Sequence, residues 1–193
     1  VLREAGFDIT FASMRGGEPP VDGVDREDTA NARFLDDADV QAALKQTVVL
    51  ADVDPTGFDA VYFPGGHGTM WDFPGDADIE RIARAIWEDG GVVAAVCHGP
   101  AALVDIKLSD GSYLVAGREV ATFTDDEERA VKLEKVVPFL LQSRLEERGA
   151  KVRTAPNWQV NVVASDRLIT GQNPASARPL ANKLIEVLGA SKR

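Results

Sequence analysis

Cysteine, histidine and methionine are scarce in this sequence, whose 193 residues include one Cys, two His and two Met. A lone cysteine, Cys97, cannot form an internal disulfide, and one thiol with two histidines is a poor donor set for a zinc site. The thiol is therefore either a packed side chain or a chemical group. A single cysteine also fits a reducing compartment, so we expect a cytoplasmic protein.

The sequence also lacks an excess of positive charge and any long apolar run. Acidic residues outnumber basic ones by 31 to 21, which gives a net charge of −10. Such a charge repels polyanions, so we expect no nucleic acid partner. No apolar run approaches the roughly 20 residues of a transmembrane helix, and no secretion signal is recognisable at the start. We therefore expect no membrane partner either.

The length and the hydrophobic pattern predict one α/β domain over residues 1–193. With 45% hydrophobic residues, the chain can bury one core. An apolar strand, Ala60–Phe63, precedes a helix from about Asp76 to Asp89, and a continuous apolar strand follows at Gly91–Val96. Such a run is typical of a parallel strand buried on both faces. The alternation predicts a flavodoxin-like, doubly wound and mostly parallel sheet sandwiched by helices.

Weaker patterns complete the predicted arrangement on both sides of this β-α-β unit. They predict a strand over Asp8–Ser13, a hairpin over Leu108–Thr122, a helix from about Asp126 to Arg148, strands near Val152 and Leu168, and a final helix over Pro174–Leu188.

The residues around Cys97 carry the strongest functional signal. The segment AAVCHGPAAL ends a buried strand and starts a helix, which is the setting of a nucleophile elbow. Free amides at a helix start predict a thiol pKa below the usual value of about 8.5. His98 can act as a base through its ring and as an oxyanion donor through its N–H. The alternatives are that Cys97 is a small core residue and that His98 is a satisfied histidine.

A glycine-rich loop, Pro64–Thr69, follows the preceding strand and contains Gly66 and His67. Its glycines allow backbone amides to approach a reacting carbonyl, so the loop is predicted to bind substrate and its oxyanion. Simple chain reversal is the alternative. The loop lacks the Walker lysine and the dinucleotide-binding spacing, so no cofactor is expected.

Four motifs occur in order along the chain: PGGHGTMWDFP, AAVCHGPAAL, FTDDEE and TGQNPASA. Together they resemble the ThiJ/PfpI superfamily, in its glyoxalase III and heat-shock chaperone branch, which is related to class I glutamine amidotransferases. The resemblance implies a homodimer in which Cys97 and His98 act with an acidic partner at Glu128. It also implies that the Gly66 and His98 amides form the oxyanion hole.

Helix capping is the alternative explanation for the acidic motif. Thr124 with Glu127, or Asp125 with Glu128, would each make a capping box at the start of a helix. Three aromatic residues also have two possible roles, since they can line a pocket or pack in the core: Trp71, Phe73 and Trp158.

The resemblance implies glutathione-independent conversion of methylglyoxal and related 2-oxoaldehydes to 2-hydroxy acids. The same residues also suit a cysteine hydrolase, either a peptidase or amidase or a protein deglycase. A third alternative is a stress-response holdase chaperone with a redox-sensitive cysteine.

One family feature finds no match in this sequence. The family's first strand and helix, with a glutamate hydrogen-bonded to the cysteine sulfur, are expected to precede Val1, and neither Glu4 nor Glu18 corresponds to that glutamate. The predicted domain is therefore incomplete at its N-terminus.

Overall fold

Two units can be separated in the computed structural model, which describes residues 1–21 and 24–191. The smaller unit comprises residues 7–54, and the larger one comprises residues 1–6 together with residue 55 onward. Every candidate site residue named above belongs to the larger unit. That the chain forms one domain stays a prediction.

The smaller unit combines a short parallel sheet with two helices. Its elements are β1 (Ala12–Ser13), α1 (Thr29–Asp36), α2 (Ala38–Leu44) and β2 (Val48–Val49). β1 pairs in parallel with β2, and only the last two residues of the strand predicted over Asp8–Ser13 take part. Asp28 and Asp37 start the two helices by accepting hydrogen bonds from the first free backbone N–H groups.

The larger unit is built on a four-stranded sheet. Its elements are β3 (Ala60–Phe63), α3 (Thr69–Asp72), α4 (Ala77–Glu88), β4 (Val92–Val96), β5 (Glu119–Val120), α5 (Asp125–Ala130), α6 (Leu141–Glu147), β6 (Lys151–Val152), β7 (Val162–Ser165), β8 (Leu168–Gly171) and α7 (Ala177–Ser191). The strand order is β3-β4-β8-β7, in which only β7 runs antiparallel to its neighbour. β5 and β6 form a separate parallel pair. The predicted α/β class and mostly parallel sheet are confirmed.

The central β-α-β unit follows directly from its sequence. All five residues of β4 are buried between β3 and β8, as a strand covered on both faces requires. Helix α4 buries an apolar face, and Asp76 caps its start by accepting hydrogen bonds from Asp78 and Ile79 N–H. Across residues 1–21 and 24–191, no helix is both long and apolar enough to cross a bilayer.

Two sequence predictions about the segment after Cys97 are wrong. The helix predicted from Asp126 to Arg148 is two helices, α5 and α6, because Pro138 cannot continue a helix and Lys132 takes a left-handed backbone (φ +62°). The hairpin predicted over Leu108–Thr122 is reduced to an isolated bridge, since β5 pairs with β6 instead.

The sheet brings two sequence motifs to the same edge. β3 and β4 pair in parallel, with Phe63 opposite Ala95. The glycine loop after β3 and Cys97 after β4 therefore leave the sheet side by side, at the carboxyl ends where α/β proteins bind ligands.

Candidate active site

The backbone of Cys97 is held in an uncommon conformation. Its φ of +60° lies in the left-handed region, which residues other than glycine rarely occupy. Its N–H donates to the Gly171 carbonyl at 2.9 Å, and its own carbonyl accepts from Phe123 N–H at 2.9 Å. A strained residue fixed from both sides at a strand end has the geometry of a nucleophile elbow.

Glycines allow the neighbouring loops to close around this turn. A Cβ on Gly65 would lie 2.7 Å from the Cys97 Cβ, and one on Gly99 would lie 2.2 Å from the Phe63 carbonyl oxygen. Gly66 has a φ of +112°. Hydrogen bonding by the backbone N–H groups of Gly66 and His98 lowers the pKa of the Cys97 thiol. The two amides that the family resemblance assigns to an oxyanion hole therefore converge on one atom.

His98 lies between the thiol and a buried carboxylate. Its Nδ1 is 3.4 Å from the Cys97 Sγ, and its Nε2 is 2.8 Å from the Glu128 Oε2. His98 is 1% exposed and Glu128 is 2% exposed. Because an ionised carboxylate only accepts hydrogen bonds, the His98 proton belongs on Nε2. The neutral ring then turns an unprotonated Nδ1 toward the thiol.

A second histidine shares the same carboxylate. The His67 Nε2 donates to Glu128 Oε1 at 2.9 Å, and the two imidazole centroids are 4.0 Å apart. The His67 side chain is 33% exposed, in contrast to His98. The sequence places His67 in the binding loop, but it gives no sign that its ring reaches a carboxylate 61 positions away.

A metal ion would draw its ligands from these same three side chains. The donor atoms of His67, His98 and Glu128 lie within 4.8 Å of one another, and zinc accepts two imidazoles with one carboxylate. Each carboxylate oxygen, however, already accepts a hydrogen bond from one ring nitrogen. The hydrogen bonds from the two rings therefore satisfy both oxygens of the Glu128 carboxylate.

The ionisation of the thiol differs from the sequence-based expectation. Burial raises the pKa of the Cys97 thiol to about 12, against the lowering effect of the His98 and Gly66 amides, and the Glu127 and Glu128 carboxylates raise it further. The prediction of a lowered thiol pKa is wrong because desolvation outweighs the amide contribution. Burial also lowers the pKa of His98, so its ring stays neutral and can accept a proton.

Glu127 forms a separate polar cluster, although its motif in the sequence predicts only a helix cap. It is fully buried. Its Oε1 accepts hydrogen bonds from Trp158 N–H, Asn173 Nδ2 and Gln172 Nε2, at 2.9, 2.8 and 3.2 Å. Its Oε2 accepts from Thr124, completing one of the two capping boxes considered. The signal in the sequence was the motif TGQNPASA, which supplies the amide side chains.

Phe123 connects the two clusters through its ring. Its centroid lies 4.3 Å from that of His98, 5.9 Å from His67 and 5.7 Å from Trp158. Trp158 remains 45% exposed. Of the other aromatic candidates, Phe73 packs edge-on against Phe63, as a core residue would.

Comparison with known proteins gives a match along nearly the whole chain. Residues 1–187 match the DJ-1/PfpI family. The probable glutathione-independent glyoxalase hsp3103 of Schizosaccharomyces pombe is 39% identical over 145 residues, which are 71% of this chain and 56% of that relative. The aligned part thus spans little more than half of that relative's length.

Two solved structures share the fold closely. The Rapid Encystment Protein 24 KDa of Francisella tularensis has a TM-score of 0.91 at 40% identity, covering 96% of this chain and 85% of that one. Glyoxalase III of Candida albicans has a TM-score of 0.90 at 29% identity, covering 96% and 82%.

Proposed function

Because the chain belongs to the DJ-1/PfpI family, we propose that it is a glyoxalase III-type lyase that converts methylglyoxal and related 2-oxoaldehydes to 2-hydroxy acids without glutathione. The match to residues 1–187 confirms the family predicted from the motifs, and the glyoxalase names of its relatives support the predicted enzyme. The observation that carries the proposal is the 3.4 Å approach of the His98 Nδ1 to the Cys97 Sγ, beside two amides aimed at that sulfur.

The first step is addition of the thiol to the aldehyde carbon. The Cys97 sulfur forms the C–S bond while its proton passes to His98 Nδ1, which is neutral and within reach. The carbonyl electron pair moves to oxygen, where the Gly66 and His98 amides stabilise the negative charge. Return of the proton to that oxygen gives a hemithioacetal.

The second step moves a proton from C1 to C2. His98 removes the C1 proton to give an enediolate and returns it to C2, while the hydroxyl proton on the C1 oxygen passes to the C2 oxygen, which leaves a 2-hydroxy thioester on Cys97. Water then cleaves the thioester, releasing the 2-hydroxy acid and the thiol. Glu128 holds the imidazole and stabilises its protonated form, as the acidic member of a catalytic triad does.

His67 is the member of this cluster that substrate can reach. Its ring is one-third exposed. Because Nε2 donates to Glu128, the neutral ring presents an unprotonated Nδ1, which accepts a hydrogen bond from a hydroxyl group of the hemithioacetal. The glycine loop therefore has two functions. The Gly66 amide binds the oxyanion, and the His67 side chain contacts the substrate.

Turnover of methylglyoxal by the full-length protein, in buffer without glutathione, tests the proposal. We expect the wild-type protein to form lactate and Cys97→Ser to form none above background, with unchanged circular dichroism. Val136→Ala, which shortens a side chain that is 59% exposed, serves as the control for handling of the variants. Lactate formation by Cys97→Ser at the wild-type rate would contradict the proposed role of the thiol.

The hydrolase and holdase alternatives stay predictions, as do the homodimer and the cytoplasmic location. Acyl transfer would use the same Cys97, His98 and amides, so only a substrate assay separates it from glyoxalase chemistry. Full suppression of client aggregation by Cys97→Ala, without dicarbonyl turnover, would indicate a chaperone role independent of this site.

A further inference from the structure

The segment of residues 155–161 has no regular secondary structure but is fastened at several points. Ala155 N–H donates to the Gln172 Oε1 at 2.8 Å, and Asn161 N–H donates to the Ser176 Oγ at 3.0 Å. Asn173 Nδ2 donates to the Gln159 carbonyl at 2.8 Å. The segment is therefore held in place by the polar side chains of the TGQNPASA motif.

Glu127 is the common acceptor beneath this segment. Five hydrogen bonds converge on its two oxygens, three of them on Oε1 alone. A buried carboxylate is costly unless its oxygens are satisfied, and bonds to a charged acceptor are stronger than neutral ones. A helix cap needs only the two bonds to Thr124, so the three on Oε1 serve the segment that carries Trp158.

Trp158 itself is placed in an unfavourable backbone conformation. Its φ is +66°, a value that bulky residues adopt only when their surroundings impose it. Glu127 Oε1 accepts a hydrogen bond from the N–H of this residue at 2.9 Å. The residue that Glu127 holds in an unfavourable backbone conformation is therefore also the one with the exposed indole.

The exposed indole is linked to the histidine pair through Phe123. Phe123 is buried, and its ring contacts the rings of Trp158, His67 and His98. His67 and Trp158 both retain exposed surface. His67 and Trp158 are therefore the two exposed members of one aromatic cluster.

We propose that Glu127, with Gln172 and Asn173, positions Trp158 as the wall that receives the substituent on C2 of the 2-oxoaldehyde, so that aromatic 2-oxoaldehydes are bound in preference to methylglyoxal. This rests on the proposed function and names the substrate class within it. A phenyl substituent stacks on an indole, whereas a methyl group gains little from it. Glu127 is a positioning residue, and Trp158 determines specificity.

The proposed role of Trp158 is tested by the ratio of kcat/KM for phenylglyoxal to kcat/KM for methylglyoxal. We expect Trp158→Ala to lower this ratio about fivefold to tenfold, and Trp158→Phe to restore most of it, because a phenyl ring still stacks. Val160→Ala is the matched control, since Val160 is an exposed apolar residue of the same segment. It should leave the ratio at the wild-type value.

The role of Glu127 is tested by a double-mutant cycle on the same ratio. Glu127→Gln should lower the ratio, and adding it to Trp158→Ala should lower the ratio no further, because Glu127 acts through the indole. Two results would overturn this inference and leave the proposed function standing. One is that Glu127→Gln and Trp158→Ala have additive effects on the ratio. The other is that Trp158→Ala leaves the ratio unchanged while methylglyoxal is still turned over. Turnover of neither aldehyde by the wild-type protein would overturn the proposed function and this inference with it.

Discussion

The carboxylates of Glu127 and Glu128 are adjacent in helix α5, and both are buried, but they bind different kinds of partner. Glu128 accepts from the ring nitrogens of His67 and His98. Glu127 accepts from the backbone of Trp158 and from hydroxyl and amide groups. One carboxylate thus faces imidazole rings, which can take up and release a proton, and the other faces groups that do not.

This difference separates chemistry from shape within two consecutive residues. A charge beside imidazoles determines which ring nitrogen carries the proton and how readily the ring takes up and releases a second one. A charge beside amides and hydroxyls orders the chain that carries them. The short helix α5 therefore supplies both functions, since its first turn directs one carboxylate to each cluster.

The largest expected effect comes from removing the charge that faces the histidines. Glu128→Gln should lower kcat for methylglyoxal by about 10³-fold, because an amide cannot accept from both Nε2–H groups and leaves His98 in the wrong tautomer. Steady-state kinetics of lactate formation measure it. Glu127→Gln is the matched control, for which we expect less than a tenfold loss. Equal losses in the two variants would contradict the separation of chemistry from shape.

Stability should show the opposite order. Glu127→Gln should lower the free energy of unfolding by about 3 kcal/mol, because the amide turns a donor toward donors in a fully buried network. Glu128→Gln should cost no more than about 1 kcal/mol, since it has two partners and one of them is partly exposed. Urea denaturation followed by circular dichroism measures both. A larger loss for Glu128→Gln would reverse the comparison.

Local patterns in the sequence were enough to predict the scaffold of the site. Continuous burial of Val92–Val96 and the apolar period of α4 depend on neighbouring residues, and both predictions are confirmed. The helix predicted from Asp126 to Arg148 failed at Pro138, although proline is a visible break. The antiparallel strand β7 was missed because its four residues carry no alternation long enough to read.

Contacts between distant residues could not be predicted in the same way. The resemblance indicated Glu128, but the bond from His67 and the convergence of Trp158 and Asn173 on Glu127 join residues 31 to 61 positions apart. The thiol pKa failed for a related reason. A helix start is visible in sequence, whereas the desolvation of Cys97 depends on what the fold packs around it.

The thiol pKa offers a test in which both carboxylates act in the same direction. Each of them raises the pKa of Cys97, Glu127 more than Glu128. Removing either charge should therefore lower that pKa, by up to about one unit, and increase the thiolate present at pH 8 by up to about tenfold.

The pH dependence of the iodoacetamide alkylation rate between pH 6 and 10 shows whether this pKa lies inside or above that range. For the wild-type protein, the rate should still be rising at pH 10, since the thiol pKa is about 12. A plateau below pH 8 in the wild-type protein would contradict the dominance of burial, and a slower reaction of Glu127→Gln would contradict the sign of the carboxylate effect.

The smallest expected effect separates the two functions of Glu127 itself. Thr124 contributes the capping box, in which its Oγ1 accepts from Glu127 N–H at 3.0 Å. Thr124→Ala should lower the free energy of unfolding by about 1 kcal/mol, the usual cost of losing a cap, while Thr124→Ser retains the hydroxyl and most of the stability. Because the Oε1 bonds to Trp158 and Asn173 remain, the ratio of phenylglyoxal to methylglyoxal turnover should stay at the wild-type value in both variants. If Thr124→Ala lowered that ratio as far as Glu127→Gln, the cap rather than the Oε1 bonds would be what positions the indole.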